Sequence, residues 1–424
     1  MKNFSELSLS ALLKNNLEKH GFTQTTPIQE QAIEPALAGR DIVATAQTGS
    51  GKTLAFVLPM IQLLANTKAP AGVRAVILSP TRELALQINE TFNKMAAGSG
   101  LRAAVVVGGL SQGPQLQAIR KGAQVLIATA GRLSDYLGRR LVNLSGVRML
   151  VLDEADRMLD MGFLPTIEKI IAPMPRERQT LFFSATIESS VKHLIAKHVP
   201  NGVRIAVGDA LKPAEHVSLQ LFEVEQDGKV GLLETMLRRE EGSFLVFART
   251  KRGVDRLSKK LSVAGVKTAA IHGDRSQNQR TQALRGFQDG YYRVLVATDV
   301  AARGIHVDGI AHVVNYDLPQ VPEDFIHRVG RTGRAGAHGK ASTFGTRSER
   351  GEIARIERTL AIRMTRCHSP ETGDQRHAAP VIPIAAPKRE QQQRIAAPQR
   401  EPQQHRRSFG PTRRAGARKV RKAI

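Results

Sequence analysis

A chain of 424 residues exceeds what one hydrophobic core usually covers, so two domains with some additional length are expected. Its 62 Lys and Arg against 38 Asp and Glu leave a formal charge of +24, which favours a polyanionic partner, nucleic acid ahead of an acidic membrane surface. The single cysteine, Cys367, excludes an internal disulfide and fits a reducing compartment, the cytoplasm; no Cys/His cluster has zinc-site spacing, no run approaches the roughly 18 to 20 apolar residues of a membrane span, and the N-terminus lacks the apolar core of a secretory signal.

From about residue 40, short β-branched apolar runs alternate with longer helix-like stretches, the α/β pattern of parallel sheets covered on both faces by helices. Strands are predicted at Ile42 to Thr45, Ala75 to Ser79, Ala104 to Val107, Val125 to Ala128, Met149 to Leu152 and Thr180 to Ser184. The polar stretch from Gly208 to Pro213 then interrupts the alternation. It resumes at Leu219 to Val224 and Phe244 to Phe247, continues through Ala269 to Ile271, Arg293 to Ala297, Ile310 to Asn315 and Ala341 to Phe344, and ends near Thr365. The predicted division is 1–208, a linker over 209–217, a second α/β domain over 218–365, and a tail over 366–424. That tail holds 14 Lys and Arg against 4 Asp and Glu. Rich in Gln, Pro, Ala and Arg, it has too little apolar periodicity to offset its ordering entropy and reads as a basic disordered segment, binding RNA or acting only as a solvated solubility tail.

Three motifs carry chemistry. Ala46, Gln47, Thr48, Gly49, Ser50, Gly51, Lys52 and Thr53 follow a strand directly and form a phosphate-binding loop. Its small residues let backbone N–H groups surround phosphate oxygens, Lys52 meets the β- and γ-phosphates, and Thr53 meets Mg²⁺. Asp153, Glu154 and Asp156 follow the buried-looking strand Met149 to Leu152, at the edge of a parallel sheet where ligands bind. Alone, such an acidic run is more often a helix N-cap; beside a phosphate loop it suits metal binding by Asp153 and orientation of an attacking water by Glu154. Gly330, Arg331 and Arg334 form a guanidinium-rich turn, either a plain basic surface or positive charge for a transferring phosphoryl group.

Read together, these residues resemble the DEAD-box family of RNA helicases over residues 4 to about 350. The ordered series includes Phe22-Thr-Gln-Thr-Thr-Pro-Ile-Gln29, Pro80-Thr-Arg-Glu-Leu-Ala85, Gly108-Gly109, Asp153-Glu-Ala-Asp156, Ser184-Ala-Thr186, His272-Gly-Asp274, Ala302-Arg-Gly304 and His327-Arg-Val-Gly-Arg331. The resemblance implies two tandem RecA-like domains that close on ATP and RNA together. It implies that Gln29 reads the adenine edge with Gln24 beside it, that Phe22 packs on the base, and that Phe4 supports that pocket. It assigns RNA backbone contacts to Thr81, Arg82, Gly109, Thr129 and Arg132 in the first domain and to Arg249, Gln277, Arg280, Thr298 and Gly304 in the second. A backbone grip agrees with an aromatic content of only 4% and no Trp, and implies little sequence preference. Arg331 and Arg334 match the arginine fingers, while Ser184, Thr186, Asp156 and His327 match positions that couple hydrolysis to domain closure.

Two positions depart from the family. Ala130 stands where proline is usual, which removes a fixed φ from an RNA-binding turn. His306 stands where aspartate usually accepts hydrogen bonds from the ATP ribose; a neutral imidazole accepts only one, so weaker ribose discrimination, or dependence on Asp308, is expected. The implied activity is RNA-stimulated ATP hydrolysis with local, non-processive duplex separation, alternatively an ATP-gated RNA clamp; a DNA helicase would need translocation elements of which there is no sign. The likeness to bacterial members points to ribosomal particles or RNA-decay proteins as partners, with no membrane involved.

Overall fold

A computed structural model describes residues 2–46, 49–67, 72–187, 189–207, 216–302, 307, 309–333 and 338–367. Seven parallel strands form the first sheet: β1 (Ile42–Ala46), β2 (Ala75–Ser79), β3 (Ala103–Val106), β4 (Val125–Thr129), β5 (Met149–Leu152), β6 (Gln179–Ser184) and β7 (Val203–Val207). Seven more form the second: β8 (Val217–Glu223), β9 (Phe244–Phe247), β10 (Thr268–Ile271), β11 (Val294–Ala297), β12 (His312–Asn315), β13 (Gly339–Gly345) and β14 (Thr365–Cys367). Their orders, β3-β4-β2-β5-β6-β1-β7 and β10-β11-β9-β12-β13-β8-β14, agree place for place, so one topology is used twice. Both sheets belong to one contact unit, Met1–Gly373.

The central strands β2, β5, β9, β11 and β12 are buried at every position because helices cover both of their faces. Along β1 the side chains of Ile42, Ala44 and Ala46 join one core with Leu13, Phe56 and Phe92, while Val43, pointing the other way, joins Leu133, Tyr136 and Phe182. The second sheet divides likewise, with Leu245 and Phe247 on one side and Phe244 and Val246 on the other. No helix among the described residues is long and apolar enough to cross a membrane.

Two edge strands depart from the sequence expectation. β7 alternates half-buried, buried and exposed residues, and β14 extends past the predicted end at Thr365 by pairing Arg366 and Cys367 with Leu221 and Phe222 of β8. A three-residue edge strand of sequence Thr-Arg-Cys has one face in solvent and carries no apolar run to announce it.

Candidate functional site

Parallel strands aim their C-terminal ends at one edge, and the order β5-β6-β1 places the phosphate loop and the acidic run on either side of β6. Ala46, which stands where phosphate-binding loops generally begin with glycine, is the last residue of β1 and fully buried, so this position is extended and needs no left-handed φ. Gly49 and Gly51, each at φ +89°, make the turn. Helix Lys52–Ala65 begins immediately, and Lys52, buried, crosses the loop to donate to the Ala46 carbonyl at 3.0 Å. Ser50 and Thr53 are half-buried on the same turn; Gln47 and Thr48 lie outside the described residues.

Gln29 ties the N-terminal segment to this loop. Its Nε2 donates to the Gly51 carbonyl at 2.9 Å and its Oε1 accepts from the Thr26 N–H at 2.9 Å. A Cβ on Gly51 would stand 2.5 Å from that Nε2, so only glycine fits. The amide expected to read a base is thus already bonded at both ends, with one Nε2 hydrogen remaining. Phe4 is buried beneath, held by its N–H to the Thr23 carbonyl, while Asn3 bridges to Gln24. Phe22, 39% exposed, stands with Gln24, Gln29, Lys52, Asp153 and Glu154 around a cavity of about 440 Å³.

At the end of β5, Asp153 is buried, its N–H donates to the Leu78 carbonyl, and its Oδ1 has no hydrogen-bond partner among the described residues. Burial pushes its carboxyl up to about 7, against the pull of Lys52 and with the push of Glu154. Glu154 adopts φ +50°, a left-handed conformation that a non-glycine residue holds only when its surroundings require it. Burial also pushes Glu154 up, but Arg157, Lys52, Arg331 and His327 together outweigh that and hold it at about 2. Arg157, one turn along helix Ala155–Asp160, meets its Oε2 at 2.5 Å. Asp156 Oδ2 accepts from the Ala185 and Thr186 N–H groups, both at 2.9 Å, and from Thr186 Oγ1 at 3.2 Å, while Ser184 Oγ donates to the Thr186 carbonyl. The acidic run is therefore strapped to the segment after β6.

The donor set suits Mg²⁺ in one specific way. No group of three or more His, Cys, Asp and Glu capable of holding a metal occurs among the described residues. One buried carboxylate with an unfilled oxygen beside a phosphate loop is what a cation takes when phosphates and water supply its other ligands.

The second sheet approaches the same corner. Helix Pro322–Val329 carries His327, whose carbonyl accepts from Arg331 Nε at 3.1 Å; Arg331 is buried and its charge reaches Glu154. Arg157, Asp299, Asp324, His327 and Arg331 surround a void of about 10 Å³, room for about one water molecule. Arg334, His306, Asp308 and Gly304 lie outside the described residues.

The positions expected to grip RNA are distributed over both edges. Thr81 caps helix Arg82–Met95 by accepting the Leu84 N–H at 3.2 Å, and the Arg82 guanidinium lies so close to Gly109 (φ +74°) that a Cβ there would collide with it. Thr129 precedes helix Ala130–Gly138; Ala130 takes its first position, where proline is favoured, and the helix itself now sets that φ. Arg132 leans on the Tyr136 ring at 5.7 Å. Arg249 is exposed after β9, and Thr298 is buried after β11. Gln277 and Arg280, expected on RNA, meet Glu83 of the first sheet at 3.0 Å each, all three buried.

Sequence reading passed over Arg157, Glu83 and Arg328. The spacing of Glu154 and Arg157 announces a helical pair. Glu83 and Gln277 are 194 residues apart along the chain, Arg280 lies farther still, and no local signal connects them. Arg328 sits within the quoted motif, yet its work is structural: it holds Asp299 through two nitrogens, at 2.5 and 2.7 Å, and the Asp317 carbonyl at 2.6 Å.

Residues 26–194 match the family model of DEAD/DEAH box helicases, and residues 228–336 match the helicase conserved C-terminal domain. Among curated proteins, the DEAD-box ATP-dependent RNA helicase CshA of Bacillus licheniformis is 40% identical over 368 residues, 87% of this chain and 75% of that protein. The protein of the same name from Geobacillus kaustophilus is 41% identical over 373 residues, 87% and 79%. Among solved structures, S. cerevisiae Dbp5 bound to RNA and ADP BeF3 aligns with 87% of this chain and 96% of its own, with a TM-score of 0.79 and 31% identity. Mss116p bound to ssRNA and AMP-PNP aligns with 86% and 78%, with a TM-score of 0.78 and 29% identity.

Proposed function

This chain belongs to the DEAD/DEAH box helicase family, and on that premise we propose that it hydrolyses ATP when RNA brings its two sheets together, and spends each cycle separating a short RNA duplex. One observation carries the reading: Glu154 of the first sheet lies in the field of Arg331 and His327 of the second, so the hydrolytic corner is built from both. Likeness along both sheets to structures bound to RNA and a nucleotide analogue supports it.

In this reading Lys52 exchanges the Ala46 carbonyl for the β- and γ-phosphates, and the N–H groups of the loop surround them. Phe22 covers the base at the cavity mouth, and the remaining Nε2 hydrogen of Gln29 marks adenine. Asp153 and Thr53 would hold Mg²⁺, which supplies charge neutralisation on the phosphates. Glu154, kept ionised by its cationic surroundings, accepts a hydrogen bond from the attacking water and aligns it. Arg331 and Arg334 stabilise the charge on the transferring phosphoryl group, a contribution of roughly 10³ to 10⁵ in rate, or about 4 to 7 kcal/mol. Because these arginines come from the second sheet, separated sheets hydrolyse ATP poorly.

RNA backbone runs over Thr81, Arg82, Gly109, Thr129 and Arg132 and onto Arg249, Gln277, Arg280, Thr298 and Gly304, with little base readout. The segments 1–208 and 218–365 serve as the moving bodies, joined by 209–217. Duplexes in ribosomal particles or RNA-decay assemblies of the cytoplasm are the proposed setting, which rests on sequence likeness; crosslinking to cellular RNA tests it. The enzymatic reading is tested by strand release from a short RNA duplex at substoichiometric protein. Repeated turnover with ATP, lost in Glu154→Gln, is the expected result; tight ATP-dependent binding with no multiple turnover would favour a clamp.

A further inference from the structure

The shared strand order pairs β8 with β1, β9 with β2 and β12 with β5. In the first sheet the nucleotide cavity lies where the loop after β1, the helix after β2 and the end of β5 meet. The matching corner of the second sheet lies between the loop after β8, helix Lys251–Val263 after β9, and the end of β12. It too opens a cavity, of about 640 Å³, within the range of small-ligand sites. The helices even start alike: Thr250 accepts the Gly253 N–H at 3.0 Å, as Thr81 accepts that of Leu84.

The lining differs in charge. Arg252, Arg256 and Lys260 stand four residues apart on helix Lys251–Val263, and all three are exposed at the cavity. Like charges at that spacing repel and destabilise a helix. Of the other charges on the helix, Lys251 pairs with Asp274 and Asp255 with Arg275 and His272, while Lys259 is exposed and does not line the cavity. Arg252, Arg256 and Lys260 have no ion-pair partner among the described residues. Two carboxylates share the lining, Asp227 and Asp317. Asp317 already accepts the Arg249 N–H at 2.8 Å and lies 3.9 Å from Lys229 Nζ. Three cations therefore face one exposed acid, with the Thr250 and Gln226 side chains beside them.

We propose that this cavity is a second phosphate-ester site, filled either by a free phosphorylated small molecule or by the backbone of an RNA strand continuing past Arg249 and Thr250. Guanidinium groups bind such oxygens through paired N–H donors, and Lys260 adds a point charge. The site goes beyond the nucleotide cavity and needs no hydrolysis; only its RNA source rests on the RNA reading above.

Isothermal titration of the full chain tests it, with the first cavity saturated by Mg²⁺ and a non-hydrolysable ATP analogue. The probes are inorganic pyrophosphate and single-stranded RNA of about 8 and about 30 nucleotides. The variant carries Arg252→Gln, Arg256→Gln and Lys260→Gln together. For a free ligand, pyrophosphate affinity falls about tenfold or more in the variant. For an RNA strand, only the longer RNA weakens, and its salt slope falls by about 2, three contacts at about 0.7 each. Affinities for all probes within about twofold of the parent, in a variant with the parent's melting temperature, overturn the site. Should the triple variant not fold, Arg256→Gln alone is expected to weaken the responsive probe about threefold, and an unchanged affinity overturns the site equally. Failure of the RNA-dependent enzyme reading would show separately, in the parent chain's binding of the short RNA and its RNA-stimulated ATPase.

Discussion

Lys52 and Lys229 occupy the same place in the two sheets: each opens the helix after the sixth strand in order, each follows a glycine, and each is buried. Their surroundings differ. Gly51 is left-handed at φ +89°, whereas Gly228 lies at φ −81°, so only the first turn folds into a phosphate loop. Lys52 reaches a neutral carbonyl, while Lys229 donates to the Tyr316 carbonyl at 3.0 Å and lies 3.9 Å from Asp317 and 3.8 Å from Glu349. A buried charge paired closely with carboxylates stabilises a corner; Lys52, which among the described residues meets a carbonyl and feels Asp153 and Glu154 only from farther away, is left for a ligand. The two corners thus differ, among the described residues, in whether the buried lysine has a carboxylate within ion-pair distance.

Substitutions can break that comparison, beginning with the largest effect. Arg331→Ala should lower RNA-stimulated kcat by roughly 10³ to 10⁵ while leaving KM for ATP within about threefold, because the guanidinium acts on the transition state. A fall in KM-level binding alone would place Arg331 elsewhere. Next, Lys52→Ala should cost about 10² to 10³ in kcat with little change in melting temperature. Lys229→Met should do the reverse, losing about 1 to 3 kcal/mol of stability to denaturant with turnover per folded molecule nearly unchanged. Equal effects of the two would erase the distinction between the corners.

A smaller effect concerns Asp153. Its folded carboxyl is raised from the ordinary range to about 7, so the folded state disfavours its ionised form. The unfolded chain ionises first as pH rises, and stability is lost between about pH 4 and 7, the deficit being complete above that. Asp153→Asn should therefore raise the melting temperature of the nucleotide-free protein by about 2 to 5 °C at pH 8 and progressively less towards pH 4. A gain independent of pH would mean the effect is not one of charge. The smallest change is expected from truncation after Cys367, which should lower the salt dependence and strength of RNA binding while sparing basal ATPase. An unchanged slope would assign that segment to protein contacts.

Much of the candidate site was legible because its parts are local. The loop from Ala46 to Thr53 and the acids from Asp153 to Asp156 each follow a continuous apolar strand, which alone sends them to the same sheet edge. That Ala46 needs no left-handed φ was not legible, since it depends on where β1 ends. Nor was the fate of Gln277 and Arg280, because Glu83 lies far away in sequence and meets them only through the packing of one sheet against the other. β14 escaped notice because three polar-edged residues gain their place from β8.

The amino-acid sequence by itself announced two similar α/β halves, placed a phosphate-loop motif in the first, and carried a net charge that favours a polyanionic partner. Those properties follow from periodicity, short motifs and net charge, all of which act over a few residues or over none in particular. The tertiary structure decided which charges are answered: buried Lys229 by Asp317 and Glu349, buried Glu154 by Arg157 with Arg331 near, and exposed Arg252, Arg256 and Lys260 by no carboxylate among the described residues. Desolvation and Coulomb attraction depend on distance and burial, and the chain acquires both only when its distant segments pack.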